Sequence, residues 1–184
     1  GAFYFLLLIF VQSLFASDFA VSLVPGWKDA LFPAYHVMTA LQTATALVTI
    51  TLFLLRTCGG LKEHIGPDTF KGLGRLLLVM TLLWFYFWWS GFIVMWYGRR
   101  PDEELVLQLF MSGPNRLFYA LTLALNFVVP FLLLLFNPIR RSILGPSVVS
   151  VLILLGTLFD RIRLFATSFS VTETGTTLTK LPPT

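Results

Sequence analysis

Polar residues in this chain gather into short clusters, and long runs of Leu, Val, Ile, Phe and Trp lie between them. A helix that crosses a bilayer needs roughly 20 mainly apolar residues. Five stretches fit that reading, at about 2–16, 30–55, 76–97, 117–136 and 148–169. The first is short, and the fifth carries Asp160, Arg161 and Arg163. Strict polar/apolar alternation is absent, which argues against an outer-membrane barrel. The pattern predicts an all-α fold: a polytopic transmembrane helical bundle of five spans over 1–170. A Thr-rich tail over 171–184 is expected to be extended.

The connections carry turn chemistry: Pro25-Gly26, Cys58-Gly59-Gly60, Gly66-Pro67, Gly113-Pro114 and Gly145-Pro146. Lys62, Glu63, His64 and Asp68, with Ile65 and Phe70, form a candidate amphipathic segment at the membrane face, although solvated surface is its default reading. No internal repeat is visible. The chain opens on Gly1 and enters an apolar run without the basic region that begins a signal peptide. It therefore reads as a processed product or the later part of something longer.

Composition sharpens the class. Of 184 residues 57% are hydrophobic and 12% charged, and mean hydropathy is +0.82. Soluble domains carry about 25% charged residues, so an ordinary soluble enzyme is excluded. The net charge of +4 reads as loop arginines and lysines that set orientation, not as a nucleic-acid surface. Basic residues number six in the loops after the second and fourth spans and four in those after the first and third. The former loops are expected in the cytoplasm and the latter outside.

Several chemistries lack their residues. One cysteine supports neither a disulfide scaffold, nor attached haem, nor an iron–sulfur cluster. His36 and His64 fall on opposite sides, against a bis-histidine haem. No metalloprotease, Walker A or nucleophile-elbow motif occurs. Cys58 reads as a spare thiol in preference to an acylation site.

Polar groups inside apolar spans are costly and point to partners or cavities. At 1.5 Å per residue, His36 lies about 9 Å into the second span, Asn126 about 13 Å into the fourth and Asp160 about 13 Å from the end of the fifth. Ser90, Trp88 and Trp89 lie at a similar depth. One layer in the outer half of the membrane is thus expected to collect polar residues from four spans. His36 could equally be a structural donor to a carbonyl. Asp160 is expected to pair with Arg163, which shares its helix face at i+3, whereas Arg161 at i+1 does not. Pro130 has no N–H for the carbonyl of Asn126, which predicts a kink with a free acceptor. Tyr86, Trp88 and Trp89 are candidates for an aromatic wall, with lipid contact or packing as the plainer alternative. Trp96 and Tyr97 read as interfacial belt residues.

Strings in order along the chain carry a resemblance. SDFAVSLVPGW followed by AYH, then WFYFWWSGFIVMWYGRRPDEE, LNFVVPFLLLL and FDRIRLF, resemble one membrane subunit of bacterial alternative complex III, a member of the polysulfide-reductase membrane-anchor family. The resemblance covers about 17–165 and matches the C-terminal half of that family protein. It implies a cofactor-free integral subunit of a quinol:electron-acceptor oxidoreductase in a bacterial cytoplasmic membrane. Such a subunit would give structural support and a proton path for menaquinol oxidation. Haem c and iron–sulfur clusters would sit in periplasmic partner subunits, beside other membrane subunits and lipid. His36, Asp160, Asn126, Ser90 and Arg163 become candidates for the proton path or quinol contact. Two rivals stand beside this reading: a subunit that binds menaquinol directly, and half of a small-solute or proton transporter.

Overall fold

The computed structural model describes residues 2–19, 31–98 and 115–173, and among them every regular element is helical. The order is α1 (Ala2–Phe19), α2 (Phe32–Thr57), α3 (Pro67–Gly98), α4 (Asn115–Leu123), a π turn (Ala124–Val128), α5 (Val129–Leu135), α6 (Asn137–Arg141) and α7 (Leu144–Glu173). Three helical stretches are long and apolar enough to cross a membrane: Phe32–Thr57, Pro67–Gly98 and the run Arg116–Leu135. In α1 the apolar stretch Leu6–Phe19 is shorter than a span, and α7 is not in this group of three. Of the five expected spans, three therefore meet the requirement of length and composition.

Sequence chemistry explains the boundaries. Pro33 sits in the first turn of α2, where a missing N–H costs no helical hydrogen bond. That helix ends at Cys58, whose N–H donates to Leu54 O at 2.7 Å, and Gly60 follows with φ +69°. Only glycine adopts that conformation without strain. Arg56 closes the turn by donating to the carbonyls of Lys62 and Ile65. The third helix begins at Pro67, well ahead of the expected position 76, because Pro67 and Asp68 suit a first turn. The supposed amphipathic segment is thus divided, with Ile65 buried before the helix and Phe70 buried inside it.

Two further boundaries differ from expectation. The stretch 137–146, expected as a loop, contains α6, and α7 starts at Leu144. Ser142 Oγ accepts the N–H of Gly145 at 2.8 Å and so supplies a partner at the start of α7. At its far end α7 continues to Glu173, so 171–173 are helical instead of extended; 174–184 lie outside the described residues.

The centre of the bundle is α2, which packs on α1, α3 and α7, while α7 also packs on α4, the π turn and α5. Two apolar clusters form the core. One is largely aromatic (Phe32, Tyr35, Trp84 and Leu164, with Ala16), and the other is aliphatic (Ala46, Leu77, Leu134, Val149, Ile153). Between them the buried residues are polar: Thr39, Gln42, Thr81, Thr122 and Asn126. Outside, Leu47, Val48, Val79, Leu82, Leu132, Val151 and Leu158 are exposed. This distribution suits an apolar solvent, where the interior gains from hydrogen bonds and the surface from lipid contact.

The π turn and α7 come close together at Gly156. A Cβ there would lie 2.6 Å from Asn126 Nδ2 and 2.9 Å from Leu125 Cβ, whereas one at Gly72 meets open space. Gly156→Val is expected to destabilise the bundle by about 1–3 kcal/mol. Gly72→Ala should leave stability unchanged or raise it slightly. Unfolding midpoints in detergent check both.

Candidate functional site

The AYH string begins α2, and its Tyr35 and His36 are both buried. The FDRIR string lies toward the end of α7 and faces them. Asp160 has 0% exposure, and both its oxygens are covered. Arg163 Nη2 donates to Oδ1 at 2.8 Å, and Tyr35 Oη donates to Oδ2 at 2.9 Å. The guanidinium of Arg163 also lies 5.3 Å from the centre of the Tyr119 ring, a cation–π arrangement. Thus the expected i, i+3 pair forms, and a tyrosine from another helix completes it.

Arg161 turns the other way. Its Nη1 is 2.8 Å from Nδ1 and 2.9 Å from Nε2 of His36, so it faces the ring edge between the two nitrogens. Phe32 packs edge-on against the same imidazole, with centroids 4.6 Å apart. One carboxylate therefore stands among two guanidiniums and an imidazole.

A polar seam runs from this cluster along the bundle. Trp84 Nε1 donates to Thr39 Oγ1 at 3.1 Å, and Thr39 in turn donates to the carbonyl of Tyr35 at 2.8 Å. Six residues past His36, Gln42 Nε2 donates to the carbonyl of Asn126 at 3.1 Å and to Thr81 Oγ1 at 3.3 Å. The carbonyl that Pro130 cannot serve is thereby satisfied from α2. Where the kink was expected lies the π turn, in which the N–H of Val129 reaches back to Ala124 O. Asn126 Nδ2 donates to Thr122 O at 3.2 Å, and Thr157 Oγ1 donates to Asn126 Oδ1 at 3.3 Å. Thr43, Thr45 and Thr49 each donate to the carbonyl four residues back, which satisfies a hydroxyl inside its own helix.

The expected single layer is therefore a column with two levels. His36, Asp160 and Arg163 share the first with Tyr35 and Arg161, and Asn126 belongs to the second with Gln42 and Thr157. Ser90 is half-buried and is not hydrogen-bonded to this group. The aromatic wall is also different. Tyr86 is 61% and Trp89 44% exposed, so both leave the interior. Trp88 is half-buried and stacks on Trp84, with centroids 6.3 Å apart and planes at 15°. Six consecutive aromatics on a helix cover every direction, and only positions spaced as 81, 84 and 88 share the inner face.

Sequence reading left Tyr35, Gln42, Trp84 and Arg161 out of the candidate site. Gln42 had the same signal as Asn126, an amide inside an apolar span, and Trp84 lies three residues from Thr81 on one helix face. Cys58 is exposed, away from the cluster. Among the described residues no group of three or more His, Cys, Asp or Glu side chains could hold a metal ion. No family model matches the chain, and no curated protein matches it.

Breaking a buried ion pair from one side typically costs 3–5 kcal/mol. Arg163→Gln is expected to fall in that range, and Arg161→Gln, which leaves no carboxylate bare, well below it. The double change Asp160→Asn with Arg163→Gln should recover part of the loss. Gln42→Leu removes an interhelical donor worth about 1 kcal/mol in a membrane protein. Thermal unfolding of the four variants in one detergent tests the ranking.

Proposed function

We propose that this chain is a five-span, cofactor-free membrane subunit of a quinol:electron-acceptor oxidoreductase of the alternative complex III type. Its roles are structural support and proton handling during menaquinol oxidation in a bacterial cytoplasmic membrane. Haem c and iron–sulfur groups belong to periplasmic partner subunits, beside further membrane subunits. The observation that supports this reading is the meeting of distant strings. AYH and FDRIR are far apart in sequence, yet Tyr35 bonds Asp160 and His36 lies against Arg161. The Asn-Phe-x-x-Pro string joins the same column through Gln42. Strings that carry the resemblance thus build one buried polar centre, the kind of feature that marks proton and substrate paths in membranes.

In this reading Asp160 is the proton-handling carboxylate, with Arg163 and Tyr35 as its positioning partners. A second reading, direct contact with the quinol, draws on the Arg161–His36 pair. That pair contains no carboxylate, so a donor and a ring nitrogen are both suited to a quinol oxygen.

Two measurements test the proposal. The chain, tagged and extracted from its native membrane, should bring down haem absorbance and quinol-oxidising activity; a colourless, solitary protein would favour transport. Asp160→Asn combined with Arg163→Gln, which strands no buried charge, should leave more assembled complex than Arg163→Gln alone while lowering turnover per complex. Loss of yield with unchanged turnover and proton release would end the proton-handling role and leave a structural one. Resistance of Arg161→Gln and His36→Ala complexes to a quinone-analogue inhibitor would favour direct contact.

A further inference from the structure

The opposite end of the bundle from Asp160 carries cations that the reaction proposed above does not use. Lys71 and Arg75 stand at i and i+4 on α3, and both flank the buried Gly74. At Gly74 the helix meets α6: a Cβ there would lie 2.9 Å from Arg140 O, 3.1 Å from Arg140 Cγ and 3.1 Å from Pro146 Cγ. That approach places Lys71 and Arg75 at the same end of the bundle as Arg140 and Arg141. The nearby acid is Asp68, 3.7 Å from Lys71, an exposed pair of little strength. Arg75 and Arg141 are exposed, and neither has an acidic partner among the described residues. Arg140 is committed to acceptors nearby in the chain: it donates to Leu134 O at 3.4 Å and to Asn137 Oδ1.

Apolar surface adjoins these charges. Leu76, next to Arg75, is 42% exposed; Leu135, Phe136 and Leu144, on either side of α6, are 53%, 59% and 64% exposed. Cations directly beside exposed apolar side chains match the two parts of a phospholipid, a phosphate and its acyl chains. A free phosphate would have no use for the apolar part.

We infer that Lys71, Arg75 and Arg141, carried by two helices that the Gly74–Arg140 contact joins, form a binding site for the headgroup of an anionic phospholipid. The acyl chains lie along Leu76, Leu135, Phe136 and Leu144. Arg75 and Arg141 are the principal ligands, Lys71 adds charge, and Arg140 is a positioning residue. This site depends on membrane insertion but not on the quinol reaction.

The test uses the protein as extracted from its membrane, with whatever subunits accompany it, in mixed micelles of phosphatidylglycerol and phosphatidylcholine. Phospholipid retained per protein after size exclusion is counted by class. The wild type should retain phosphatidylglycerol in preference to phosphatidylcholine. Arg75→Gln and Arg141→Gln should each reduce that preference about fivefold, from roughly 1 kcal/mol per basic residue at the surface. Lys62→Gln, which removes a charge outside the site, should leave it unchanged.

Equal retention of the two lipids by the wild type would overturn the inference. So would equal losses from Lys62→Gln, which would reduce the effect to total charge. Displacement of the lipid by millimolar inorganic phosphate would identify a bare anion site and also count against it. Because both arginines are exposed, their variants should keep the wild-type unfolding midpoint in phosphatidylcholine alone; a lowered midpoint would reassign them to structural roles.

Discussion

A carboxylate without exposed surface, on a helix that is otherwise largely apolar, must be covered at both oxygens or lose its charge. Asp160 meets that demand with a guanidinium from its own helix and a phenol from α2. The i, i+3 partner costs the fold little, because helix geometry places it there. Tyr35 is different, since it is available only when α2 and α7 are in one register. Asp160 thereby fixes how these two helices pair, and α2, as the centre of the bundle, transmits that register to α3 and α1.

The same logic recurs at Pro130. A proline in a span leaves a carbonyl that water cannot serve, so another helix must serve it. Gln42 does so and reaches Thr81 with the same amide nitrogen, joining α2, α3 and the π turn at one point. Two obligations set the arrangement, one from a charge and one from a missing N–H. Both are discharged by α2, through residues two turns apart. The flanking apolar clusters add packing but little register, because aliphatic side chains accept many neighbours while hydrogen bonds do not.

This explains which parts of the structure were legible in the sequence. All-helical character followed from the apolar runs, and the Asp160–Arg163 pair followed from spacing alone. A helix irregularity before Pro130 and the acceptor at Asn126 were legible because both residues belong to one helical run. The donor was not, since which amide on another helix meets that carbonyl depends on packing that periodicity does not report. The aromatic run failed for a related reason. Composition marked Trp84 to Trp89 as important, but the inward face depended on the phase set by Thr81 and Leu77. Helix starts at Pro67 and Leu144 were missed because hydropathy marks where a helix becomes apolar, not where it begins.

The two arginines of the FDRIR string show how little sequence distance says about role. Arg163 faces the carboxylate and completes it. Arg161, two residues earlier and about 200° around the helix, meets an imidazole that offers no counter-charge. The cluster therefore has a closed half and an open one. On the closed side Asp160 has both oxygens bonded, and any proton it takes must displace Tyr35 or weaken Arg163. On the open side Arg161 keeps donors beyond the one facing His36. In the direct-contact reading proposed above, the quinol would meet His36 and Arg161, and any charge placed there would be felt at Asp160, because screening by water is weak inside the bundle.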